Sequence, residues 1–326
     1  MPRGGTGSTG LSRRRLLGLA ATLSAAGMLG TAVPAAARPA HTPWPTLLHL
    51  PDGFHPAGIG IGPAPYAYFG SLLGGAIHRV RLSTGEGTTI HPGAGEGHYA
   101  VGIGVDDRQR LFIAGGWGRT ITVMDGTNGR VLRTYEVGSA NTFVDHVALT
   151  PGMAWFTDSF VGRLYGLPIG RYGELPAADA VVTLPLSGDW VQGSPNHLTA
   201  TGIAATPDRR ALLVVNTLAD RGGLFRVDPD TGQSRRVDLG GLELPTTNGI
   251  LVHGRTLYAP RMSDVAVVRL DRAGHRGRLV ETITDSRFDT PCAAAVYRGR
   301  LYLPNARFPL PPTPDTPYTA VAVPLR

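Results

Sequence analysis

The 326-residue chain contains no lysine, because all 31 of its basic residues are arginine. Schiff-base chemistry and a lysine general base are therefore excluded. The one cysteine, Cys292, leaves no partner for a disulfide within the chain. The chain also lacks a Gly-x-Ser-x-Gly segment and a His-Glu-x-x-His segment. Two common catalytic motifs, the serine nucleophile elbow and the zinc-binding helix, are thus absent.

Helical patterning is scarce as well. No amphipathic helical stretch of useful length follows residue 40, whereas 45 glycines and 27 prolines divide the chain into short segments. Dense turn residues between short apolar runs are typical of many strands joined by tight turns. The predicted fold class is all-β.

A strand-like pattern opens six times along the chain. Measured at the middle residue of each opening, the spacings are 44, 44, 56, 47 and 44 residues. A four-stranded propeller blade needs roughly 40–50 residues, so the period predicts a six-bladed β-propeller. The first residues of the six openings are Ala57, Val101, Asp145, Thr201, Asn248 and Cys292.

The ends of the chain complete this organisation. The sixth repeat is one strand short, and the run Thr46–Leu50 is an unassigned strand. We therefore predict that this N-terminal strand joins the last blade and closes the ring, which removes an exposed sheet edge. The longer gap between the third and fourth repeats, Leu186–Leu198, is either a lid over the channel mouth or a surface insertion.

The first 37 residues have the pattern of an export signal. Arg13 and Arg14 begin a twin-arginine pattern, an apolar stretch follows, and Ala35-Ala36-Ala37 provides small residues for cleavage. The predicted domains are a signal peptide (1–37), a leader with the ring-closing strand (38–53) and the propeller (54–326). Removing four arginines lowers the formal charge from +7 to +3. We expect a secreted monomer with a small-molecule ligand, no nucleic acid partner and no membrane association after cleavage.

Several stretches carry a resemblance to a known superfamily. They include Trp155-Phe156-Thr157-Asp158, the run from Gly202 to Asp208, Asn248-Gly249-Ile250 and the run from Leu301 to Phe308. From about Phe54 to Leu325 the chain resembles the senescence-marker-protein, gluconolactonase and luciferin-regenerating-enzyme-like superfamily of six-bladed propellers, which also resembles strictosidine synthase. The resemblance implies the same fold and a lactonase-like activity.

The resemblance also implies a metal position, which this chain changes. Metal-dependent members hold a divalent cation, commonly calcium, on acidic and amide residues that open the repeats. The corresponding positions here hold Ala57, Thr201 and Asn248, and Asp145 stands where an asparagine is expected. Calcium sites normally combine several carboxylates, so we expect either no cofactor or a calcium ion bound weakly by Asp145 and Asn248.

Two rings of residues are predicted to meet at the channel mouth. The second ring closes the second strands, because an antiparallel hairpin returns to the end at which it began. The candidate catalytic residues are Asp145, His146 and Asp158. The candidate substrate-binding residues are Thr201, Asn216, Asn248, Arg261, Asn305 and Trp117.

Strand alternation limits what the first pair can do. If Asp145 faces the channel, His146 should face away, so no catalytic dyad is expected and His146 would be a structural histidine between blades. Asp158 has a structural alternative too, as the partner of a turn or an arginine.

From the resemblance and these residues we predict an exported lactonase-like hydrolase of a small lactone, ester or related natural product. The alternatives are a metal-free cyclase or isomerase on the same fold and a non-catalytic binding propeller.

Overall fold

Six sheets, antiparallel except for one short edge pair, form the described part of the chain, which in this computed structural model comprises residues 43–195, 197–218 and 221–326. The sheets succeed one another along the chain as the six predicted blades, and the six-bladed propeller is confirmed. Blade 1 contains β2 (Pro56–Ile61), β3 (Tyr66–Ser71), β4 (Ile77–Arg81) and β5 (Gly87–His91). Blade 2 contains β6 (Ile103–Val105), β7 (Arg110–Ala114), β8 (Thr120–Asp125) and β9 (Val131–Glu136). Blade 3 contains β10 (Val144–Thr150), β11 (Met153–Asp158), β12 (Arg163–Pro168) and β13 (Val182–Pro185).

The remaining three blades depart slightly from this plan. Blade 4 contains β15 (Ala200–Ala205), β16 (Leu212–Asn216), β17 (Gly223–Val227) and β18 (Gln233–Arg236), with β14 (Ser187–Gly188) on its outer edge. Blade 5 contains β19 (Leu251–His253), β20 (Thr256–Pro260), β21 (Val265–Leu270) and β22 (Gly277–Ile283). Blade 6 contains β23 (Ala295–Tyr297), β24 (Arg300–Pro304), β25 (Tyr318–Pro324) and β1 (Leu47–Leu50). Among the described residues the helical structure is one 3₁₀ turn, Ala178–Ala180, and no helix is long and apolar enough to cross a membrane.

The predicted ring closure is also confirmed. Strand β1 pairs antiparallel with β25, with Leu48 opposite Ala320 and both side chains fully buried. The last blade therefore combines the two ends of the described chain, which leaves β25 without an open edge.

The hydrophobic core lies between neighbouring blades. The second strands supply large side chains to it, including Phe69, Phe112, Phe156 and Tyr302, each fully buried. One cluster joins Phe112 of β7 to Phe156 of β11, and another joins Leu213 of β16 to Leu257 of β20. Alternating large apolar residues on both faces of these strands are what a sheet buried on both sides requires.

The inner strands line the central channel and all run in the same direction through it. They begin at the loop face, our name for the end of the channel that carries the connections between blades. They end at the hairpin face, which carries the turns between first and second strands. Three inner strands contain a bulge near the loop face, between Pro56 and Gly58, between Val144 and Val147, and between Ala200 and Ile203.

The insertion between blades 3 and 4 follows the outside of blade 4 over its first half. Its residues Ser187 and Gly188 pair in parallel with Gln233 and Ser234 of β18. Trp190 packs on Phe225, with ring centroids 5.4 Å apart. This half of the insertion therefore extends a blade edge and does not cover the channel.

Candidate functional site

A cavity of about 430 Å³ occupies the central channel, lined by all six inner strands. Most of its wall is formed by glycine, alanine and branched apolar residues, together with the inner-strand backbone. It extends to the exposed residues Arg209 and Gly254 at the hairpin face. Its lining contains two ionisable side chains, His146 and Arg209. Its volume is within the range of small-molecule sites in proteins.

The imidazole of His146 closes the loop-face end of this cavity. The equivalent positions in the other repeats hold only small residues, which we call the small-residue layer: Gly58, Gly102, Gly202, Gly249 and Ala293. A Cβ on Gly249 would lie 2.8 Å from His146 Nε2 and 3.0 Å from the Cβ of Ala293. The layer therefore leaves space at the axis for one aromatic ring.

His146 is paired with the preceding residue. Its Nδ1 lies 2.8 Å from Oδ1 of Asp145, and Oδ2 of Asp145 lies 2.8 Å from Oγ of Ser159. Ser159 Oγ is also 2.6 Å from the carbonyl oxygen of Ala200, which ties it to blade 4. His146 is 8% exposed, and its Nε2 is buried without a hydrogen-bond partner among the described residues. A carboxylate at Nδ1 favours a proton there, so Nε2 keeps its lone pair.

A bulge explains why this pair contradicts the expected alternation. Three residue steps on β10, from Val144 to Val147, oppose two steps on β11, from Asp158 to Phe156. The extra residue lets Asp145 and His146 approach each other, because a bulge locally breaks the two-residue side-chain period. The His146 amide instead donates to Oγ1 of Thr157, at 3.0 Å. The expectation that strand alternation separates these two side chains is therefore wrong.

The first residues of the openings do not line the cavity, although we expected them at the mouth. Ala57, Val101, Asp145, Thr201 and Cys292 are all buried, and none of them is among the residues that line the described cavity. The hydroxyl of Thr201 donates to the carbonyl of Thr247 at 2.8 Å, and the thiol of Cys292 donates to the carbonyl of Ala57 at 2.9 Å. Burial raises the pKa of the Cys292 thiol, and the charge of Asp145 raises it further. A neutral, hydrogen-bonded thiol is not a nucleophile.

Asp158 is fully buried at the end of β11 and both of its oxygens are engaged. Its Oδ1 accepts from the backbone amides of Phe143, Phe160 and Val161, at 3.2 to 3.3 Å. Its Oδ2 accepts from Arg163 Nε and from the hydroxyl of Tyr165, each at 2.9 Å. Burial raises the pKa of the Tyr165 hydroxyl, which remains a donor to this carboxylate. These contacts hold the loop of blade 3 in place.

Two other candidates stand at the same position of their blades and make similar ties. Asn216 Nδ2 donates to the carbonyl of Val191 at 2.8 Å. Asn305 Nδ2 donates to the carbonyl of Arg287 at 2.9 Å, and its Oδ1 accepts from the amide of Asp289 at 3.0 Å. Each side chain anchors the connection that leads into its own blade.

The last three candidates lie on the loop face, outside the cavity. Arg261 Nε is 2.6 Å from Oδ1 of Asp264, so its charge is compensated. Trp117 is 44% exposed and packs on Phe143 and Phe160, with ring centroids 5.6 Å and 4.6 Å away. Asn248 is half-buried. None of the six predicted substrate-binding residues is among those that line the described cavity.

The residues predicted to hold calcium do not fit that ion. The two oxygens of Asp145 already contact His146 and Ser159, and Asn248 alone adds one amide. The described residues contain no group of three or more histidine, cysteine or acidic side chains that could hold a metal. A calcium site needs six to eight oxygen ligands, most of which this ring does not supply.

Three residues that matter at the site were not predicted: Ser159, Gly249 and Arg209. Ser159 directly follows a singled-out residue, but its contact with Asp145 depends on the bulge. Gly249 belongs to a repeat opening. Its lack of a side chain indicates space for His146 only when the repeats are arranged around a common axis. Arg209 is in a turn whose position relative to the channel follows from the strand direction.

The same architecture occurs in several solved structures. They include the major allergen Mala s 1 of Malassezia sympodialis (TM-score 0.66, 15% identity, covering 85% of this chain and 96% of that one). A calcium-binding protein, regucalcin, from Agrobacterium tumefaciens has a TM-score of 0.61 at 17% identity, covering 85% of this chain and 93% of that one. A gluconolactonase from Xanthomonas campestris has a TM-score of 0.59 at 18% identity, covering 85% and 89%. No protein-family model and no curated protein matches the chain. The predicted resemblance is thus confirmed at the level of the fold.

Proposed function

We propose that this six-bladed propeller is an exported lactonase-like enzyme that hydrolyses a small lactone or ester with His146 as general base. The observation that supports this most directly is the Asp145–His146 pair: His146 lines the channel cavity, and its Nε2 is buried without a hydrogen-bond partner among the described residues. The fold shared with a gluconolactonase is consistent with the reaction class.

The chemistry requires one proton shuttle. Nε2 accepts a proton from a water molecule as the water oxygen bonds to the substrate carbonyl carbon. The imidazolium returns this proton to the leaving alkoxide oxygen when the ester C–O bond breaks, and the product is a hydroxy acid or an acid and an alcohol. Proton transfer by a positioned histidine typically contributes about 10²- to 10⁴-fold to the rate.

Asp145 and Ser159 are positioning residues in this proposal. Asp145 holds the proton on Nδ1 and stabilises the imidazolium that forms during the reaction. Ser159 orients Asp145 through its contact with Oδ2 and connects it to the backbone of Ala200. The proposed steps use only these side chains and a water molecule, since both oxygens of Asp145 are already engaged by His146 and Ser159.

A proton-transfer isomerase or cyclase is the second candidate function. The cavity lining has one base and no carboxylate, and a base that removes and returns a proton within one ligand needs no second acid. Detection of an isomerised product without hydrolysis would favour it. Binding without any turnover would favour the non-catalytic alternative.

Export through the twin-arginine pathway and cleavage near residue 37 belong to the same proposal. The predicted signal, residues 1–37, lies outside the described part of the chain. We expect the mature chain to be recovered from the culture medium. Replacing Arg13 and Arg14 by lysine should abolish this secretion.

Hydrolysis of a panel of γ- and δ-lactones and nitrophenyl esters tests the catalytic proposal. We expect His146→Ala to lower kcat/KM by about 10²- to 10⁴-fold. Asp145→Asn should shift the pH profile and lower the rate, while His49→Ala, on the exposed side of β1, should leave it unchanged. Treatment of the wild type with a chelator should not reduce the rate. Full activity of His146→Ala, or no turnover of any substrate by the wild type, would contradict the proposal.

A further inference from the structure

The two ends of the channel cavity are chemically different. Its closed end carries His146, and its open end at the hairpin face carries Arg209, the one permanently charged side chain in the described lining. No aspartate or glutamate is among the lining residues. A cationic group at the mouth of a low-dielectric channel favours anionic ligands.

The carboxylate that precedes Arg209 in the chain is committed to other partners. Asp208 accepts from Oγ1 of Thr206 at 2.7 Å and from the amide of Arg210 at 3.1 Å. Arg209 itself makes no ion pair or side-chain hydrogen bond with the described residues and is exposed at the cavity opening.

The walls between the two ends combine strand backbone with branched residues. The lining includes Ile59, Ile103, Val147, Ile203 and Ile250, of which the four isoleucines also pack in the hydrophobic clusters between blades. From the layer that contains His146 to the end of the inner strands is three or four residues, or about 10–13 Å at 3.3 Å per residue. A ligand that reaches both ends is therefore elongated.

We infer that the ligand of this cavity is an elongated carboxylate, whose anionic group contacts Arg209 and whose other end extends towards His146. The placement of the reacting carbonyl at His146 rests on the proposed function, but the recognition of the anion does not. Guanidinium–carboxylate hydrogen bonds are charge-assisted and stronger than neutral ones.

The backbone at Arg209 allows a clean test. Its φ is +60°, and equivalent turns in other blades have positive φ at Gln109, Gly152, Gly254 and Arg298. The left-handed conformation therefore belongs to the turn, and glycine adopts it without strain. Arg209→Gly removes the guanidinium without straining the fold. Arg298→Gly makes the same substitution in blade 6, at a residue outside the cavity lining whose guanidinium packs over Trp44 and Tyr297.

Calorimetric titration with hexanoate, octanoate and decanoate, each against the matching alcohol, provides the measurement. The wild type should bind the carboxylates more tightly than the alcohols, by about tenfold. Arg209→Gly should remove this preference and leave alcohol binding unchanged, whereas Arg298→Gly should retain it. Equal binding of acids and alcohols by the wild type, or equal effects of the two variants, would overturn the inference.

Kinetics separate this inference from the proposed function. With a carboxylate-bearing lactone, Arg209→Gly should raise KM about tenfold with unchanged kcat, and a neutral lactone should show no change. His146→Ala should still bind octanoate. A protein that prefers carboxylates but turns over no lactone supports the inference and contradicts the proposed function. A protein that hydrolyses lactones but shows no preference for carboxylates supports the proposed function and contradicts the inference.

Discussion

At the scale of single residues, His146 differs from its five counterparts in having a large side chain. The small-residue layer gives it the centre of the channel, and Asp145 orients it. Because Gly249 approaches Nε2 from the opposite side, the position of the ring depends on the absence of one methyl group.

Gly249→Ala tests this dependence. The new Cβ would be 2.8 Å from His146 Nε2, so the imidazole must move. A misplacement of about 1 Å at a catalytic group can cost on the order of 10²-fold in rate. We expect kcat to fall by about this factor, measured on the best lactone of the panel. In a His146→Ala background the loss of stability on adding Gly249→Ala should be smaller, as a double-mutant cycle would show. An equal loss in both backgrounds would mean that the imidazole is not the obstacle.

Asp158→Asn tests the structural role of a second buried acid. The carboxylate accepts five hydrogen bonds and has no exposure, so removing its charge leaves Arg163 without its ion-pair partner. We expect the free energy of unfolding to fall by about 3–5 kcal/mol, as for other broken buried pairs. Asp264→Asn breaks the more exposed pair with Arg261 and should cost about 1 kcal/mol or less. Urea unfolding measures both, and the activity of the folded Asp158→Asn protein should match the wild type.

At the scale of the strand, the short β1 is important for the stability of the whole ring. It covers the edge of β25, and Leu48 is part of the core cluster that also contains Ile59 of blade 1 and Tyr302 of blade 6. The four residues of β1 therefore connect the beginning of the ring to its end.

Leu48→Ala should weaken the whole propeller. Deleting most of a fully buried leucine side chain costs about 2–5 kcal/mol, because transfer energy is lost and a cavity remains. His49→Ala, on the exposed side of the same strand, should change the free energy of unfolding by less than about 0.5 kcal/mol. Both are measured by urea unfolding followed by tryptophan fluorescence. If Leu48→Ala unfolds at the wild-type urea concentration, β1 does not hold the ring closed.

At the scale of the whole molecule, buried histidines make stability depend on pH. Burial lowers the pKa of His55 and of His78 below the ordinary value of 6.5. Both ring nitrogens of His55 are buried without partners among the described residues, and its ring stacks on Tyr318. Below pH 6.5 the unfolded chain binds protons that the folded chain does not, so stability falls as the pH decreases.

His78→Gln should reduce this acid sensitivity. The wild type is expected to lose thermal stability between neutral pH and about pH 5, before the aspartates with lowered pKa values begin to titrate. Replacing one of the two histidines removes part of the proton uptake, so Tm should change less over this interval. Scanning calorimetry at several pH values measures the effect, and His253→Gln, at an exposed position of β19, serves as the control. An unchanged pH slope in His78→Gln would contradict the assignment.

The number of blades and the closing strand could be predicted from the chain because both depend on local patterns. The spacing of the openings predicts the number of blades. Pairs of adjacent large apolar residues, such as Tyr68 and Phe69, mark the second strands. The sixth repeat lacks a strand, and Thr46–Leu50 is the unassigned one. Each of these patterns can be recognised from a short stretch of chain and from the number of residues to the next such stretch.

The order of residues along the chain thus sets the architecture of this protein, whereas the packing of the blades selects the side chains that meet at its axis. His146 enters the channel because of a one-residue bulge, which strand alternation does not reveal. The space for its ring is left by Gly249, which is 103 residues later in the chain. Arg209 lies at the other end of the cavity. A strand period is set by neighbouring residues. The cavity is set by residues of different blades that come together only when the ring closes.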